Sequence, residues 1–207
     1  RSPVSSLGLL VGYFNENYED MDRAELKEIV GNLNIASKSF NLLAEDLSTT
    51  INVLNREEVS LQKVNIRRVV DTILLKFDEE VKNSVINFEL SAWSFIAYNE
   101  EYMLLILDNL FTNAFIYKSK NRTLKISLTT SMINEKMVLQ FEDNGQGLDL
   151  DLHSNNVFGM HRTFHENSEG RGMGLFLVKL YVENMGGNVF VESKPDVGTK
   201  FTLIFGS

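Results

Sequence analysis

The sequence predicts an α+β protein in which a helical hairpin of residues 1–56 precedes a layered domain of residues 57–207. One observation is a strict seven-residue spacing of apolar residues from Leu26 to Leu54, which is typical of a helix in a supercoiled seam. Another is a change of pattern near residue 57, where short alternating apolar runs begin to intersperse with helical ones. The chain has 207 residues, 43% of them hydrophobic, which suffices for two packed domains.

The hairpin is predicted from two apolar stripes separated by a polar segment at residues 15–20. The first stripe follows Ser2 and Pro3, a capping residue and a favourable first helical residue, and has a spacing of three and four. The second stripe consists of Leu26, Leu33, Phe40, Leu47 and Leu54. Because two helices leave such a stripe uncovered, we expect a second copy to complete a dimeric four-helix bundle. Packing against the following domain is the alternative.

The layered domain is predicted to alternate strands and helices as its apolar pattern changes period. Strands are expected at residues 59–63, 85–90, 95–97, 124–130, 137–142, 189–192 and 199–204. Helices are expected at 69–77, 99–117 and 173–185, the last closed by Gly186 and Gly187. Residues 145–169 form a long polar connection, and a connection of that length in a compact domain is often a functional lid.

The composition excludes several kinds of site. The chain has 20 basic and 28 acidic residues, and this net charge of −8 argues against a nucleic-acid backbone as the partner. It lacks cysteine, so neither a disulfide framework nor a cysteine-based zinc site is possible. His153, His161 and His165 share the polar connection, where solvated histidines are expected rather than a metal cluster. We find no apolar run of roughly 18 residues and no pattern of a secretory signal.

Two glycine-rich motifs, DNGQG at residues 143–147 and GRGMG at 170–174, predict a nucleotide site. Glycine at alternate positions removes Cβ atoms where the backbone must approach another group closely. The second motif leads into the predicted helix at 173–185, whose N-terminal amides can hold phosphate. Asn109 and Asn113 lie one turn apart on the helix at 99–117, so their amides share a face. A dinucleotide fingerprint would need glycine where Leu175 stands, and no Walker motif is present.

The order of the motifs resembles that of the sensor histidine kinases of two-component systems. NLFTNA at residues 109–114 is similar to their N box, DNGQG to the G1 box, VFGM at 157–160 to the F box, and GRGMGL at 170–175 to the G2 box. GTKF at 198–201 resembles the final Gly-Thr element, so the resemblance covers about residues 99–205. It implies a Bergerat-type α/β sandwich that binds ATP with Mg²⁺.

The resemblance implies a role for each motif. Asn113 corresponds to the asparagine that ligates Mg²⁺, a cation that prefers oxygen ligands. Asp143 corresponds to the carboxylate that recognises the amino group of adenine, and Thr199 to the threonine that supports it through water. The other expected ATP-binding residues are Asn109, Tyr117, Gly145, Gly147, Phe158, Arg162, Gly170, Arg171, Gly172, Met173, Gly174 and Leu175. Phe158 and Phe164 are expected to pin the lid to the domain. Without the family context, Asn109 and Asn113 would cap or solvate a helix, the Asp-Asn-Gly run at residues 143–145 would form a hairpin turn, and Thr199 would be an ordinary strand threonine.

Two positions depart from the family pattern. Ile116 stands where a lysine often follows the metal-ligating asparagine, and Arg171 stands where threonine is frequent. We therefore expect a phosphate-contacting cation from Lys118, Arg162 or Arg171. The departures bear on the rate of phosphoryl transfer more than on ATP binding.

The first residues, RSPV, resemble the end of the H box of the same family. This resemblance places the phosphoacceptor His three positions before Arg1, beside an acidic residue that would act as a general base. We therefore expect the chain to be part of a longer protein and to contain no catalytic residue of its own. Ser2 stands where many relatives carry a threonine or asparagine that orients a hydrolytic water for phosphatase activity. Serine also has a hydroxyl but departs from that pattern, so phosphatase activity is not part of the expectation.

The expected function is that of a sensor histidine kinase core, which transfers the γ-phosphoryl group of ATP to His and then to an aspartate of a response-regulator receiver domain. We expect a cytoplasmic homodimer that binds no nucleic acid and reaches a membrane only through other parts of a parent protein. One alternative is another ATPase of the same superfamily, which would need a carboxylate where Asn109 stands. The other is a non-catalytic dimeric scaffold that uses ATP binding as a signal.

Overall fold

The computed structural model describes residues 3–54, 60–150, 157–159 and 172–206. The chain divides into two compact units, Arg1–Asn55 and Arg56–Ser207. None of the helices in the described ranges is long and apolar enough to cross a membrane. The assignment of dimerisation to the first unit and of ATP binding to the second stays a prediction.

The first unit is a helical hairpin of α1 (Pro3–Asn17) and α2 (Arg23–Leu54), which pack against each other. A capping box begins α2, because Asp22 Oδ1 accepts hydrogen bonds from the N–H groups of Ala24 and Glu25 at 2.7 and 2.8 Å. Glu25 Oε2 accepts in return from the Asp22 N–H at 3.1 Å. These bonds satisfy the amides that the first turn leaves unpaired, and they fix the point where the long helix starts.

The apolar residues of α2 are only partly covered within the hairpin. Ile29 and Ala36 are buried, whereas Phe40 and Leu47, two members of the seven-residue repeat, keep 46% and 54% of their surface exposed. A shallow groove of about 450 Å³ separates the two helices and is lined by Ser6, Leu9, Leu10, Asn32, Ile35, Ala36 and Ser39. The hairpin therefore presents an apolar surface along α2.

The second unit contains a five-stranded mixed sheet and a two-stranded antiparallel one. The larger sheet has the order β2-β4-β5-β7-β6, with strands β2 (Ser84–Glu89), β4 (Leu124–Ile133), β5 (Lys136–Asp143), β6 (Asn188–Lys194) and β7 (Gly198–Ile204). The β2–β4 pair is parallel, and the other three pairs of this sheet are antiparallel. The smaller sheet joins β1 (Gln62–Asn65) to β3 (Phe95–Tyr98).

A layer of helices covers one face of the larger sheet. It contains α3 (Ile66–Leu74), α5 (Glu100–Ile116) and α6 (Gly174–Asn184), and a short α4 (Asp78–Lys82) precedes β2. Alternate residues of β4 from Leu124 to Thr130 are buried, so the opposite face of the sheet is open. The rings of Phe111 on α5 and Phe141 on β5 meet edge to face at 5.0 Å between centroids. This contact joins the helix that carries the N box to the strand that leads into the G1 box.

The observed elements confirm the α+β fold class, with small differences from the predicted bounds. Helix α5 is capped by Asn99, whose side chain accepts from the Tyr102 N–H at 2.9 Å. Helix α6 has Met185 as its C-cap and is closed as expected by Gly186, where φ is +73°, and the Gly187 N–H donates to the Val182 carbonyl at 2.9 Å. Helix α4 was not predicted, because five residues are too few for an apolar period to emerge.

Candidate functional site

Asn109 and Asn113 lie on α5, one turn apart, and both side chains are half-buried. The Asn109 Nδ2 donates to the Leu105 carbonyl at 2.7 Å. Its Oδ1 faces Gly174, where a Cβ would approach this oxygen to 2.7 Å. The Asn113 side chain makes no hydrogen bond to any residue within the described ranges. Asn109 therefore braces α5 against the G2 segment, whereas the amide of Asn113 remains available to a ligand.

The G1 segment starts at Asp143, the last residue of β5, and runs past the C-terminal end of α5. The Gly145 N–H donates to Asp143 Oδ1 at 2.7 Å, and the Gln146 N–H donates to the Tyr117 carbonyl at 2.9 Å. A Cβ on Gly145 would lie 2.7 Å from that Tyr117 oxygen, so a larger residue would not fit without a shift. Because β5 pairs with β4 and β7, this segment is not a hairpin turn. The turn that joins β4 to β5 lies instead at residues 134–135.

The carboxyl group of Asp143 is half-buried, and this burial raises its pKa to about 6 from an ordinary value of 3.8. Hydrogen bonds from the N–H groups of Gly145 and Thr199 oppose the rise, and so does the positive charge of Arg122. The neighbouring charge of Glu142 adds to the rise. A ligand that donates a hydrogen bond to the charged carboxylate, as an exocyclic amino group does, would be favoured at this position.

Thr199 lies opposite Asp143 in the pairing of β5 with β7, and it is buried. Its hydroxyl lies 2.9 Å from Ser193 Oγ at the end of β6. Ser193 Oγ donates to the Gly198 carbonyl at 2.9 Å and accepts from the Leu148 N–H at 2.8 Å. A hydroxyl has a single proton, so the Thr199 hydroxyl is the donor to Ser193. Ser193 therefore ties the residue that follows the G1 box to the Gly-Thr element.

The G2 segment leads directly into α6. Gly172 has a φ of +68°, a left-handed conformation that favours glycine. Met173 is the buried N-cap residue and provides no side-chain cap, so the amides of the first turn, including those of Gly174 and Leu175, have no capping side chain. Such a helix start attracts anions through its exposed N–H groups and its dipole. Its contact with Asn109 brings the G2 segment next to the N box.

The F box and the expected cations are described only in part. Val157 is buried, and the Phe158 ring lies 5.9 Å from Lys179 Nζ on α6. Lys118 is exposed, and its carbonyl accepts from the Gln146 side chain at 3.2 Å. Ser2, Arg162, Phe164, Gly170, Arg171 and the three histidines at 153, 161 and 165 lie outside the described residues. Their expected roles stay predictions.

The connection between α5 and β4 contributes a residue that the sequence patterns did not single out. Arg122 Nε donates to the Asn144 carbonyl at 2.7 Å, and its Nη2 donates to the Gly145 carbonyl at 2.6 Å. The Asn144 side chain bonds to the end of this connection and to the start of β4, because its Nδ2 donates to the Thr123 carbonyl at 3.1 Å and its Oδ1 accepts from the Lys125 N–H at 2.7 Å. Arg122 belongs to the polar run KSKNRT at 118–123, in which no local pattern distinguishes one cation from another.

A separate groove of about 560 Å³ lies on the open face of the large sheet, at the end that carries Asp143 and Thr199. Its charged lining residues are Lys125, Glu142, Asp143, Glu192, Lys194 and Lys200. None of its lining residues belongs to α5 or α6. The groove therefore shares Asp143, Asn144 and Thr199 with the candidate site, but the N-box helix and the helix after the G2 box do not line it.

Comparisons with known proteins agree with the family that the order of the motifs predicts. A family model described as "Histidine kinase-, DNA gyrase B-, and HSP90-like ATPase" matches residues 98–206. The methanogenesis regulatory histidine kinase FilI of Methanothrix harundinacea is 27% identical over 209 residues, covering 98% of this chain and 23% of FilI. The sensor histidine kinase YcbM of Bacillus subtilis is 26% identical over 210 residues, covering 95% of this chain and 66% of YcbM. The chain thus spans between about a quarter and two-thirds of these two relatives.

Solved structures of histidine kinases share the fold. The kinase AdeS of Acinetobacter baumannii has a TM-score of 0.65 at 18% identity, covering 100% of this chain and 95% of that chain. Full-length ShkA in complex with AMPPNP also scores 0.65 at 18% identity, covering 100% and 47% of the two chains. ThkA in complex with the response regulator protein TrrA scores 0.63 at 17% identity, covering 99% and 57%. Because the family model matches more than half of the 207 residues, the protein belongs to the histidine kinase-, DNA gyrase B- and HSP90-like ATPase family, with an ATP-binding domain of the sensor histidine kinase type.

Proposed function

We propose that the protein is the kinase core of a two-component sensor histidine kinase and that it binds Mg-ATP between the N, G1 and G2 boxes. The observation that carries this proposal is the desolvated carboxyl of Asp143, which lies at the end of β5 beside the glycine backbone of the G1 box. Adenine presents an amino group at the position where guanine has a carbonyl oxygen. Asp143 would therefore select ATP and ADP over guanine nucleotides. ShkA, which shares the fold, has been solved in complex with AMPPNP.

The phosphates would lie at the start of α6. The first-turn amides of this helix have no side-chain cap, and Gly174 lets the backbone lie against Asn109 without the Cβ that would approach its Oδ1. Backbone N–H groups at a helix start bind phosphate oxygens without requiring a basic side chain. This arrangement suits a site in which the lysine often found in the N box is replaced by Ile116, a residue that is 45% exposed.

Mg²⁺ would be held by Asn113. The fit is supported by the half-buried amide of this side chain, which forms no hydrogen bond within the described ranges and offers a neutral oxygen. Magnesium takes few protein ligands and completes its shell with water and phosphate oxygens. When bound, the ion would neutralise charge on the phosphates during phosphoryl transfer.

Replacing Asn113 with Ala is expected to weaken the binding of Mg-ATP by roughly tenfold, the effect of losing one interaction of about 1.4 kcal/mol. The affinity for ATP measured with EDTA should change little, because the variant removes a contact to the ion only. Calorimetry of both proteins with and without Mg²⁺ separates the two effects. Thr112→Ala provides a matched control, since this neighbour on α5 is also half-buried but belongs to no predicted contact. Equal Mg²⁺ dependence in wild type and Asn113→Ala would contradict the assignment.

The proposed reaction transfers the γ-phosphoryl group to a His and then to an aspartate of a receiver domain. Its basis is the resemblance of the RSPV segment to the end of an H box, with the acceptor His three positions before Arg1. ThkA, a kinase of the same fold, has been solved in complex with a response regulator. A cytoplasmic location for this part of the protein accompanies the proposal.

The phosphotransfer proposal is tested with radiolabelled ATP. We expect the 207-residue chain to bind ATP without forming acid-labile phosphate, and a longer chain that includes the upstream segment to become labelled on the proposed His. Acid treatment should release the label from the longer chain. Replacing the proposed His with Ala in that chain should prevent labelling. Labelling of the 207-residue chain itself would show that the acceptor is placed wrongly. A longer chain that binds Mg-ATP and stays unlabelled would favour the alternative of a non-catalytic scaffold, to which Ile116 in the N box also points.

A further inference from the structure

Arg122 is the only side chain in the described ranges that donates to two backbone carbonyls of the G1 segment. Its Nε and Nη2 bind the carbonyls of Asn144 and Gly145 at 2.7 and 2.6 Å. Both bonds are short and charge-assisted, and the planar guanidinium fixes the two carbonyls relative to each other. Arg122 is half-buried, so water screens these bonds less than it would on an exposed loop.

The first of these bonds has a consequence on the opposite side of the same peptide. A trans peptide points its C=O and its N–H in opposite directions. When Arg122 holds the Asn144 carbonyl, it therefore also directs the Gly145 N–H, which donates to Asp143 Oδ1 at 2.7 Å. The second bond acts in the same way on the next peptide. When Arg122 holds the Gly145 carbonyl, it directs the Gln146 N–H, which donates to the Tyr117 carbonyl.

We infer that Arg122 is a positioning residue for adenine recognition, because it holds the peptide between Asn144 and Gly145 in the orientation that fixes the Asp143 carboxylate. The inference rests on the proposed function of Asp143, and it assigns to the α5–β4 connection the control of how that carboxylate is presented. Arg122 does not contact the base in this scheme. It acts through the Gly145 N–H and through its own charge.

Other charged groups around Asp143 also bear on how ADP affinity depends on pH. Those that share the sheet groove with it are Lys125 on β4, Glu142 on β5, Glu192 and Lys194 on β6, and Lys200 on β7. On the helix side, Asn109 and Asn113 are neutral. Arg122 and Glu142 act in opposite directions on the pKa of Asp143, and the Gly145 N–H lowers it. Loss of Arg122 removes its positive charge, which lowers the pKa of Asp143, and loosens the hydrogen bond from the Gly145 N–H, which lowers this pKa as well.

The inference is tested with Arg122→Met and Arg122→Lys by measuring ADP and GDP affinity from pH 5 to 8. At pH 7.5 we expect Arg122→Met to bind ADP at least roughly tenfold more weakly than wild type, as for a lost interaction with a charged group. The pH at which ADP affinity declines should move upward in Arg122→Met, because Asp143 is then protonated more easily. Arg122→Lys keeps the charge but cannot bind both carbonyls, so its pH midpoint should lie between those of wild type and Arg122→Met while its affinity falls.

Arg67→Met is the matched control, since Arg67 is an exposed arginine of the same unit that pairs with Asp71 on α3. It makes the same change in composition and net charge, and we expect its affinity and pH midpoint to equal those of wild type. An Arg122→Met protein that is folded by circular dichroism and keeps both wild-type affinity and wild-type midpoint overturns the inference but leaves the proposed function intact. A wild-type protein with no preference for ADP over GDP overturns both. If Arg122→Met does not fold, wild-type ADP affinity in Arg122→Lys overturns the inference.

Discussion

Replacing Asp143 with Asn is expected to abolish the preference for ADP over GDP and to stabilise the nucleotide-free protein. A carboxylate only accepts hydrogen bonds, so it favours the amino group of adenine over the carbonyl oxygen of guanine. An asparagine amide can donate to that carbonyl as readily as it accepts from the amino group. We expect the ratio of ADP to GDP affinity, measured by calorimetry at pH 7.5, to fall by at least roughly tenfold.

The gain in stability follows from the raised pKa of the same group. The carboxyl ionises near 3.8 in the unfolded chain and near 6 in the folded protein, so the folded state holds the proton more tightly. The stability that this group contributes is therefore full below about pH 3.8, declines as the pH rises, and is lost above about pH 6. The difference corresponds to at most about 3 kcal/mol in the free energy of unfolding at neutral pH.

Melting temperatures across this pH range test the prediction without any ligand. The Asp143→Asn protein should melt higher than wild type at pH 7.5, and the difference should shrink as the pH falls toward 4. Glu89→Gln serves as the control, because it neutralises an exposed carboxylate at the end of β2 and should show no such dependence. A lower melting temperature for Asp143→Asn at pH 7.5 would mean that the carboxylate is structurally required rather than held at a cost for binding.

The α+β fold could be predicted because its longer elements have strong local patterns. The apolar positions of α5, such as Met103, Leu107 and Leu110, recur at a helical spacing and are buried. The alternation in β4 likewise marked its buried face. The prediction ended that strand at residue 130 rather than Ile133, because its last residues are exposed on both faces. Pairing with β5 across the tight turn at Asn134 and Glu135, both with positive φ, extends the strand.

The site was predictable as segments but not as a set of contacts. The spacing of glycine in the G1 box predicted a close backbone approach, and the approach of Gly145 to Tyr117 is one. Nothing in the sequence identifies Arg122 or Ser193, because each bonds to main-chain groups of segments that are remote in the chain. Main-chain carbonyls are the same at every residue, so a motif cannot encode which side chain will reach them. Only the tertiary fold decides these partners.

We expect the protein to form a dimer through α2, and we expect the replacement of Phe40 with Glu to make it a monomer. Phe40 belongs to the seven-residue repeat of α2, yet 46% of its surface stays exposed in the single chain, as does 54% of that of Leu47. A second hairpin that packs along this surface would bury both residues in a four-helix bundle. Glutamate at position 40 would then lie unpaired in an apolar interface, and an isolated buried charge costs several kcal/mol.

Light scattering at several protein concentrations measures the effect. We expect wild type to have twice the mass of the single chain of 23.6 kDa, and Phe40→Glu to have that of the single chain. Asn41→Glu adds the same charge at the next residue, which is exposed and outside the repeat, so it should remain dimeric. ADP affinity should be unchanged in both variants, because the proposed nucleotide site lies in the other compact unit. A monomeric wild type, or a Phe40→Glu protein that still dimerises, would exclude this surface of α2 as the interface, and packing of the hairpin elsewhere would then have to cover Phe40 and Leu47.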